Sequence, residues 1–218
     1  NAKYVLCYPS VTAAITAAIM QRGDDIKDVY LPNRTWIGTA NAASILGKRL
    51  IAIDSDNKHQ NMSASGLAKS IERFNKKENP GTVVFVAING SYKNIDMVQE
   101  LVSQNKLGLI IDGCQAFGSE KETTRRLIKN GHTICYSFGM PKLISTGLGG
   151  CLATNNEQDY NNLIAMRNQG LSITGQETGL AAINGFNFKY TDMQACLGIE
   201  QMKRVEIIIE KHMEIIKR

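Results

Sequence analysis

The sequence predicts an α/β fold of three layers, α/β/α, with helices on both faces of a mainly parallel central sheet. Two observations predict it. Short apolar runs alternate with helical patterns through the first half of the chain, and strand–helix–strand alternation builds right-handed crossovers between parallel strands. The runs are also continuously apolar rather than alternating, as strands covered on both faces are.

Taken in order, "KYVLC" (3–7) reads as a strand and "TAAITAAIMQR" (12–22) as a helix. "DVYLP" (28–32) is a strand, and "WIGTANAASILG" (36–47) a helix closed by Gly47. "RLIAID" (49–54) is a strand, and "SASGLAKSIERF" (63–74) a helix with Ser63 as its candidate N-cap. "TVVFVAI" (82–88), the helix "IDMVQELVSQN" (95–105) and the strand "LGLIID" (107–112) follow. "TICYSF" (133–138) and "GCLATN" (150–155) read as two more strands. The last residues, "RVEIIIEKHMEIIKR" (204–218), are helical in pattern without a cap, glycine or proline to stop them. With no Met at the start, this predicts a piece of something longer.

Composition excludes several classes. The chain has 218 residues, 43% of them hydrophobic, enough to bury a sizeable core. It holds no apolar run of 18 residues and no basic-then-apolar leader, so neither a membrane span nor a signal peptide is expected. A net charge of +5 without a clustered basic face does not point to nucleic acid. Arg125 and Arg126 either attract a phosphorylated substrate or belong to a solvated face. Five scattered cysteines without a C-x-x-C pair read as buried, reduced thiols of a cytosolic protein. Three histidines far apart do not suggest a zinc site.

In open α/β sheets the ligand sits beyond the carboxyl ends of the strands, and the segments there carry the candidate residues. "PSVTAA" opens a helix, where unpaired N–H groups with the hydroxyls of Ser10 and Thr12 suit a phosphate, although either residue could simply cap the helix. Trp36 is the single tryptophan, a stacking platform or a core residue. Asp112 ends the most apolar strand. A carboxylate there needs a cationic partner or an equivalent ligand: magnesium, a ribose hydroxyl or a protonated ring nitrogen, unless it caps a helix. Gln115 lies in the following turn. Lys142 stands in "SFGMPKLISTGLGG" (137–150), small, glycine-rich and otherwise uncharged. Phosphate cradle, flat aromatic, carboxylate and lysine together are the needs of pyridoxal 5′-phosphate (PLP), whose aldehyde takes a lysine and whose ring nitrogen takes a carboxylate. No G-x-x-x-x-G-K-[ST] loop exists for a magnesium-dependent phosphotransferase.

With these residues in place, the chain resembles the DegT/DnrJ/StrS family of PLP-dependent sugar aminotransferases, of the aspartate-aminotransferase type of fold. Four segments carry the resemblance in order: "TWIGTANAA", "IDGCQAFG", "SFGMPKLISTGLGG" and "GFNFKYTDMQACLGIEQMKRV". The resemblance implies that Trp36 stacks on the ring, Asp112 pairs with the pyridine nitrogen, and Gln115 lies near the ring's 3-oxygen. It implies that Ser137, with the Ser10-Val11-Thr12 turn, binds the phosphate and that Lys142 is the Schiff-base lysine. Asn187 would reach the phosphate of a neighbouring subunit in a homodimer with shared sites. Residues 1–205 would be the PLP-binding large domain, and 206–218 the start of a helix toward a C-terminal small domain. The implied reaction moves an amino group, from glutamate or another amino acid, to a keto sugar attached to a nucleotide, for surface polysaccharide or secondary-metabolite sugars.

The chain departs from the family pattern at Val11, where the family has glycine; at "AING" (87–90), where it has H-x-Y-G; at Gln169, where it has histidine; and at Lys189, where it has arginine. Val11 is expected to cost backbone freedom. Three rivals follow. A sugar dehydratase of the same family would carry histidine at the position of Lys142. A silent binding paralogue would have a broken residue set. A nucleotide-binding module would want G-x-G-x-x-G after the first strand, where "YPSVTA" has no glycine.

Overall fold

The computed structural model describes residues 2–74, 80–171 and 179–216. Among them seven strands form one sheet: β1 (Tyr4–Tyr8), β2 (Asp28–Pro32), β3 (Arg49–Ile53), β4 (Gly81–Val86), β5 (Gly108–Asp112), β6 (Thr133–Ser137) and β7 (Gly150–Thr154). Their order is β1-β7-β6-β5-β4-β2-β3. The pairings from β6 through β3 are parallel, whereas β7 is antiparallel to both β6 and β1. All seven strands expected from the apolar runs are present. β2 and β4 are buried along their whole length, the signature of strands covered on both faces.

The covering helices are α1 (Val11–Met20), α2 (Ile37–Ser44), α3 (Ala64–Phe74), α4 (Ile95–Gln104), α5 (Lys121–Lys129) and α6 (Glu157–Arg167). Alternate residues of one strand serve opposite layers. Val83, Phe85, Leu109 and Ile111 pack with Leu67 and Ile71 of α3, Val98 and Val102 of α4, and Leu127 of α5. Val84 and Ile110 face the other way, against the alanine-rich α1, Ala42 and Ala43 of α2, and Leu163 of α6. Each such aliphatic side chain removed from water contributes roughly 1.5–3 kcal/mol. Gly47 takes φ +67° after α2, and the Ser63 hydroxyl accepts the Gly66 N–H at 3.1 Å; both match their expected roles as stop and cap.

α5, α6 and α7 (Asp192–Met202) were not expected from the apolar pattern. α5 buries only Leu127 and Ile128, and α7 buries no residue. Polar signals mark two of them instead. Asn156 caps α6 by accepting the Asp159 N–H at 3.0 Å, and Thr191 with Gln194 closes a capping box on α7. α8 (Val205–Ile216) matches the expected last helix; residues 217 and 218 of that pattern lie outside the described residues. Arg125 pairs with Glu122 and Arg126 with Asp96. Both guanidiniums are therefore part of a solvated, charge-paired face rather than a free phosphate site.

No helix among the described residues is long and apolar enough to cross a membrane.

Candidate active site

β1 runs in the same direction as β6, because β7 opposes both. The carboxyl ends of β1, β2, β4, β5 and β6 therefore share one edge of the sheet. β7, being reversed, begins at that edge. Two glycines make the junction fit. A side chain at Gly150 would meet Val11 Cγ2 at 2.6 Å and both the Tyr136 carbonyl and the Val11 nitrogen at 2.9 Å. A side chain at Gly149, φ +144°, would meet Tyr190 at 2.7 Å. The glycines after Lys142 thus let the returning strand lie directly against the first turn of α1.

That first turn has the groups an anion cradle needs. Ser10 is extended, and its hydroxyl accepts the Ala13 N–H at 3.1 Å. The capping role is therefore real, and it leaves the earlier N–H groups of the helix without intrahelical acceptors. Val11 is the buried first residue of α1 and has no positive φ. The expected cost of replacing glycine there is absent, because helical backbone suits any L-residue. Thr12 lies close to α2: a side chain on Gly38 would meet its hydroxyl at 2.8 Å and the Trp36 ring at 3.0 Å. Two helix N-termini thus converge, and Ser10, Thr12, Asn41, Phe186 and Phe188 line a depression of about 470 Å³ beside them.

Trp36 precedes α2 and is 78% exposed. The core alternative is excluded: a large flat ring stands in the open at the sheet's carboxyl edge. Asp112, by contrast, is 4% exposed. Its Oδ1 accepts the Cys114 N–H at 3.0 Å and its Oδ2 the Thr39 hydroxyl at 2.8 Å. It caps no helix, since α5 begins at Lys121, and it has no ion-pair partner among the described residues. Thr39 is itself buried and shares a 2.8 Å hydrogen bond with Thr35. Sequence reasoning missed Thr39, because a threonine inside a helix carries no signal until the fold brings α2 over the end of β5.

The Cys114 thiol lies two residues after Asp112, in the turn that follows β5. Burial pushes it far up from its ordinary value and the Asp112 charge adds to this, while the Lys142 ammonium opposes it. The lysine is therefore within electrostatic reach of the same turn. Lys142 is half-buried, in a loop held by its own N–H on the Gly139 carbonyl at 3.0 Å and by the Thr146 N–H on the Phe138 carbonyl at 2.9 Å. Ser137 ends β6, and its hydroxyl accepts the Gly139 N–H at 3.3 Å. Gln115 is exposed; its Oε1 accepts the Asn89 N–H at 2.8 Å and so ties the "AING" turn to the turn after β5.

Asn187 is the residue that the structure does not gather. It is exposed and bridges to Asn168. Its neighbours Phe186 and Phe188 stack at 4.5 Å on the flank of α1. Lys189 donates to Asn168 at 3.2 Å, and Gln169 holds φ +59°.

Among the described residues no cluster of three or more metal-ligating side chains occurs. The donors present are instead those that a phosphorylated pyridine carboxaldehyde needs. They are a helix N-terminus with hydroxyls, an exposed indole, a buried carboxylate lacking a cation, and a lysine.

Comparisons with known proteins agree. A family model described as the DegT/DnrJ/EryC1/StrS aminotransferase family matches residues 1–218. The chain is 27% identical over 216 residues to a GDP-perosamine synthase of Escherichia coli O157:H7, covering 99% of this chain and 57% of that protein. It is 26% identical over 213 residues to a UDP-4-amino-4,6-dideoxy-N-acetyl-beta-L-altrosamine transaminase of Campylobacter jejuni serotype O:2, covering 98% and 56%. The fold superposes on the sugar aminotransferase CalS13 of Micromonospora echinospora with a TM-score of 0.83 at 21% identity, over 96% of this chain and 58% of that one. The chain thus spans little more than half the length of the relatives it matches.

Proposed function

The chain belongs to the DegT/DnrJ/EryC1/StrS aminotransferase family, and from that premise we propose that it is the cofactor-binding part of a PLP-dependent aminotransferase acting on a nucleotide-linked keto sugar. The observation that carries this is Asp112: a buried carboxylate without an ion-pair partner among the described residues, at the end of β5, bonded to Thr39 of the helix that the exposed Trp36 precedes, on the sheet edge where β6 leads into the Lys142 loop.

The cofactor, when bound, supplies an electrophilic carbon and a ring that withdraws electrons from the donor's Cα. Asp112, fixed by Cys114 and Thr39, would keep a proton on the ring nitrogen by its charge. Ser10, Thr12 and Ser137, with the open N–H groups of Val11 and Thr12, would hold the phosphate. Trp36 would cover a ring face and keep water from it. Gln115, its Oε1 taken by Asn89, would donate from Nε2 to the ring oxygen. Lys142 would hold the cofactor through Nζ, and the same Nζ is the base for the proton on the amino acid's Cα.

The amino donor is an amino acid, glutamate by family resemblance. The acceptor class rests on the relatives named as GDP- and UDP-sugar enzymes. The exposed position of Asn187 supports a role toward a second copy's phosphate in a homodimer. Residues 1–205 form the cofactor domain in this reading. The apolar side chains that α8 exposes, Ile207, Met213, Ile215 and Ile216, support residues 206–218 as the lead into a further domain.

The test is chemical. Protein loaded with PLP is reduced with borohydride and peptide-mapped, with and without prior glutamate. The expected label lies on Lys142 and is lost when glutamate is added first. A label on any other lysine overturns the assignment.

A further inference from the structure

β1 and β7 place two thiols face to face. Cys7 lies directly opposite Cys151 in the antiparallel register. The kind of pair follows from the neighbouring ladder. Phe138 donates its N–H to the Gly149 carbonyl at 2.9 Å, so 138/149 is a hydrogen-bonded pair between β6 and β7. Two residues along, Tyr136/Cys151 is the next such pair, because hydrogen-bonded and non-hydrogen-bonded pairs alternate. The backbone groups of Cys151 therefore point at β6 and away from β1. Cys7/Cys151 is then a non-hydrogen-bonded pair, the close kind, with Cα atoms about 4.5 Å apart. Disulfides accept Cα separations of about 4.4–6.8 Å.

The pair is also reachable. Val5, Cys7, Tyr136, Phe138, Cys151 and Ala153 share one side of the sheet and line a depression of about 480 Å³. Cys7 is half-buried and also borders a second apolar depression, of about 540 Å³, under α7. Cys151 is buried behind it. Burial raises both thiols from their ordinary values, and the Arg167 guanidinium opposes the rise at Cys7 alone. Cys7, half-buried where Cys151 is buried, is the thiol that a disulfide reagent reaches first, and Cys151 is the one that resolves.

We propose that Cys7 and Cys151 form a reversible cross-strand disulfide by exchange with small-molecule disulfides. The Cys7 thiolate attacks one sulfur of glutathione disulfide, forming a mixed disulfide and expelling one glutathione thiolate. The Cys151 thiolate then attacks the Cys7 sulfur, forming the Cys7–Cys151 bond and expelling the second. The two protons given up by the protein thiols end on the two glutathiones. The protein is oxidised by two electrons, and one disulfide is reduced to two thiols. The separation lies at the short end of the accepted range, so dithiol reductants reopen the bond readily. In a reducing compartment the pair rests as two thiols. Closed, it fastens β1, which ends two residues before Ser10, to β7, which starts directly after the Lys142 loop.

The experiment maps peptides of the chain after incubation with glutathione disulfide and alkylation, without reduction. The exposed Cys196 reports that the reagent acted. The expected result is a peptide carrying residue 7 linked to one carrying residue 151, lost on adding dithiothreitol, with glutathione on Cys196. In Cys151→Ala, Cys7 should stop at the glutathione mixed disulfide; in Cys7→Ser, Cys151 should stay a free thiol. A phenylarsenical, which takes two adjacent thiols, should protect both residues of the unmodified chain from alkylation, a readout that does not depend on either variant folding. Glutathione on Cys196 with no 7–151 link, or Cys7 linked to any other cysteine, overturns the proposal.

Discussion

The Thr39 hydroxyl donates to Oδ2 of Asp112 at 2.8 Å from the first turn of the helix that Trp36 precedes. α2 thereby presents an aromatic ring from its N-cap and fixes a carboxylate from its first turn. The bond is buried at both ends, so nothing else compensates for its loss. Thr39→Val keeps the shape and removes the donor. A hydrogen bond to a charged group is worth about 1.5–3 kcal/mol, so half-transamination with glutamate should slow roughly 10- to 100-fold, while Thr39→Ser stays near the parent. Asp112→Asn should bind PLP yet lose orders of magnitude in the same assay. A normal rate in Asp112→Asn removes the electron-sink role assigned to this carboxylate.

Trp36 separates cofactor binding from folding. At 78% exposure it contributes little to the core, and Trp36→Ala should change unfolding stability by no more than about 0.5 kcal/mol. Its ring face should still matter to a bound ring. PLP affinity, measured by fluorescence titration, should fall about tenfold, the upper end of an aromatic pair's worth. Equal affinities in the two proteins would mean that the indole stacks on nothing.

Asn187 is exposed in its own subunit, which makes the shared-site reading testable by mixing. Asn187→Ala and Lys142→Ala chains, each nearly inactive, are combined with whatever further domain activity requires. Each heterodimer then holds one site with both residues intact and one with neither. Activity should return in proportion to the heterodimers formed. If heterodimers form and activity stays absent, Asn187 serves its own chain or no site.

His132 gives the fold an acid limit. Burial and the nearby Arg22 guanidinium hold its ring below the ordinary histidine value, and its Nε2 meets Gln99 Nε2 at 2.9 Å. The unfolded chain therefore binds this proton more readily than the folded one. Stability from this group is complete above the unfolded value of about 6.5, declines as pH falls through it, and levels off below the depressed folded value. Urea midpoints measured downward from pH 7 should show this slope, and His132→Gln should flatten it. An unchanged slope in His132→Gln would assign the acid sensitivity to other groups.

The sheet was legible in the sequence because burial on both faces leaves a strand no polar residue to hide behind. "TVVFVAI" and "LGLIID" can hardly be anything else, and both are central strands. α5 was not legible, because "KETTRRLIK" rests only Leu127 and Ile128 on the sheet, too few for a helical stripe. α7 buries nothing, and its signal is the Thr191–Gln194 box rather than hydrophobicity. Lys142, Asp112 and Trp36 stood out as residues placed against type. Thr39 did not, since its role depends on the end of β5 arriving beneath it.

The pairing of β1 with β7 has a consequence for the order of folding. β1 spans residues 4–8, and its sheet neighbour spans residues 150–154. β1, the earliest of the described strands, thus pairs with the latest of them, across most of the described chain. Contacts so distant in sequence form late, because loop closure must precede them. β2, β4 and β5 join neighbours nearer in the chain. Pulsed hydrogen exchange during refolding should protect the amides of Val84 and Ile110 before those of Leu6. Ser10 caps α1 two residues after β1, so the phosphate site proposed there should form only at the final step of folding. Protection of Leu6 at or before that of Ile110 would reverse this order.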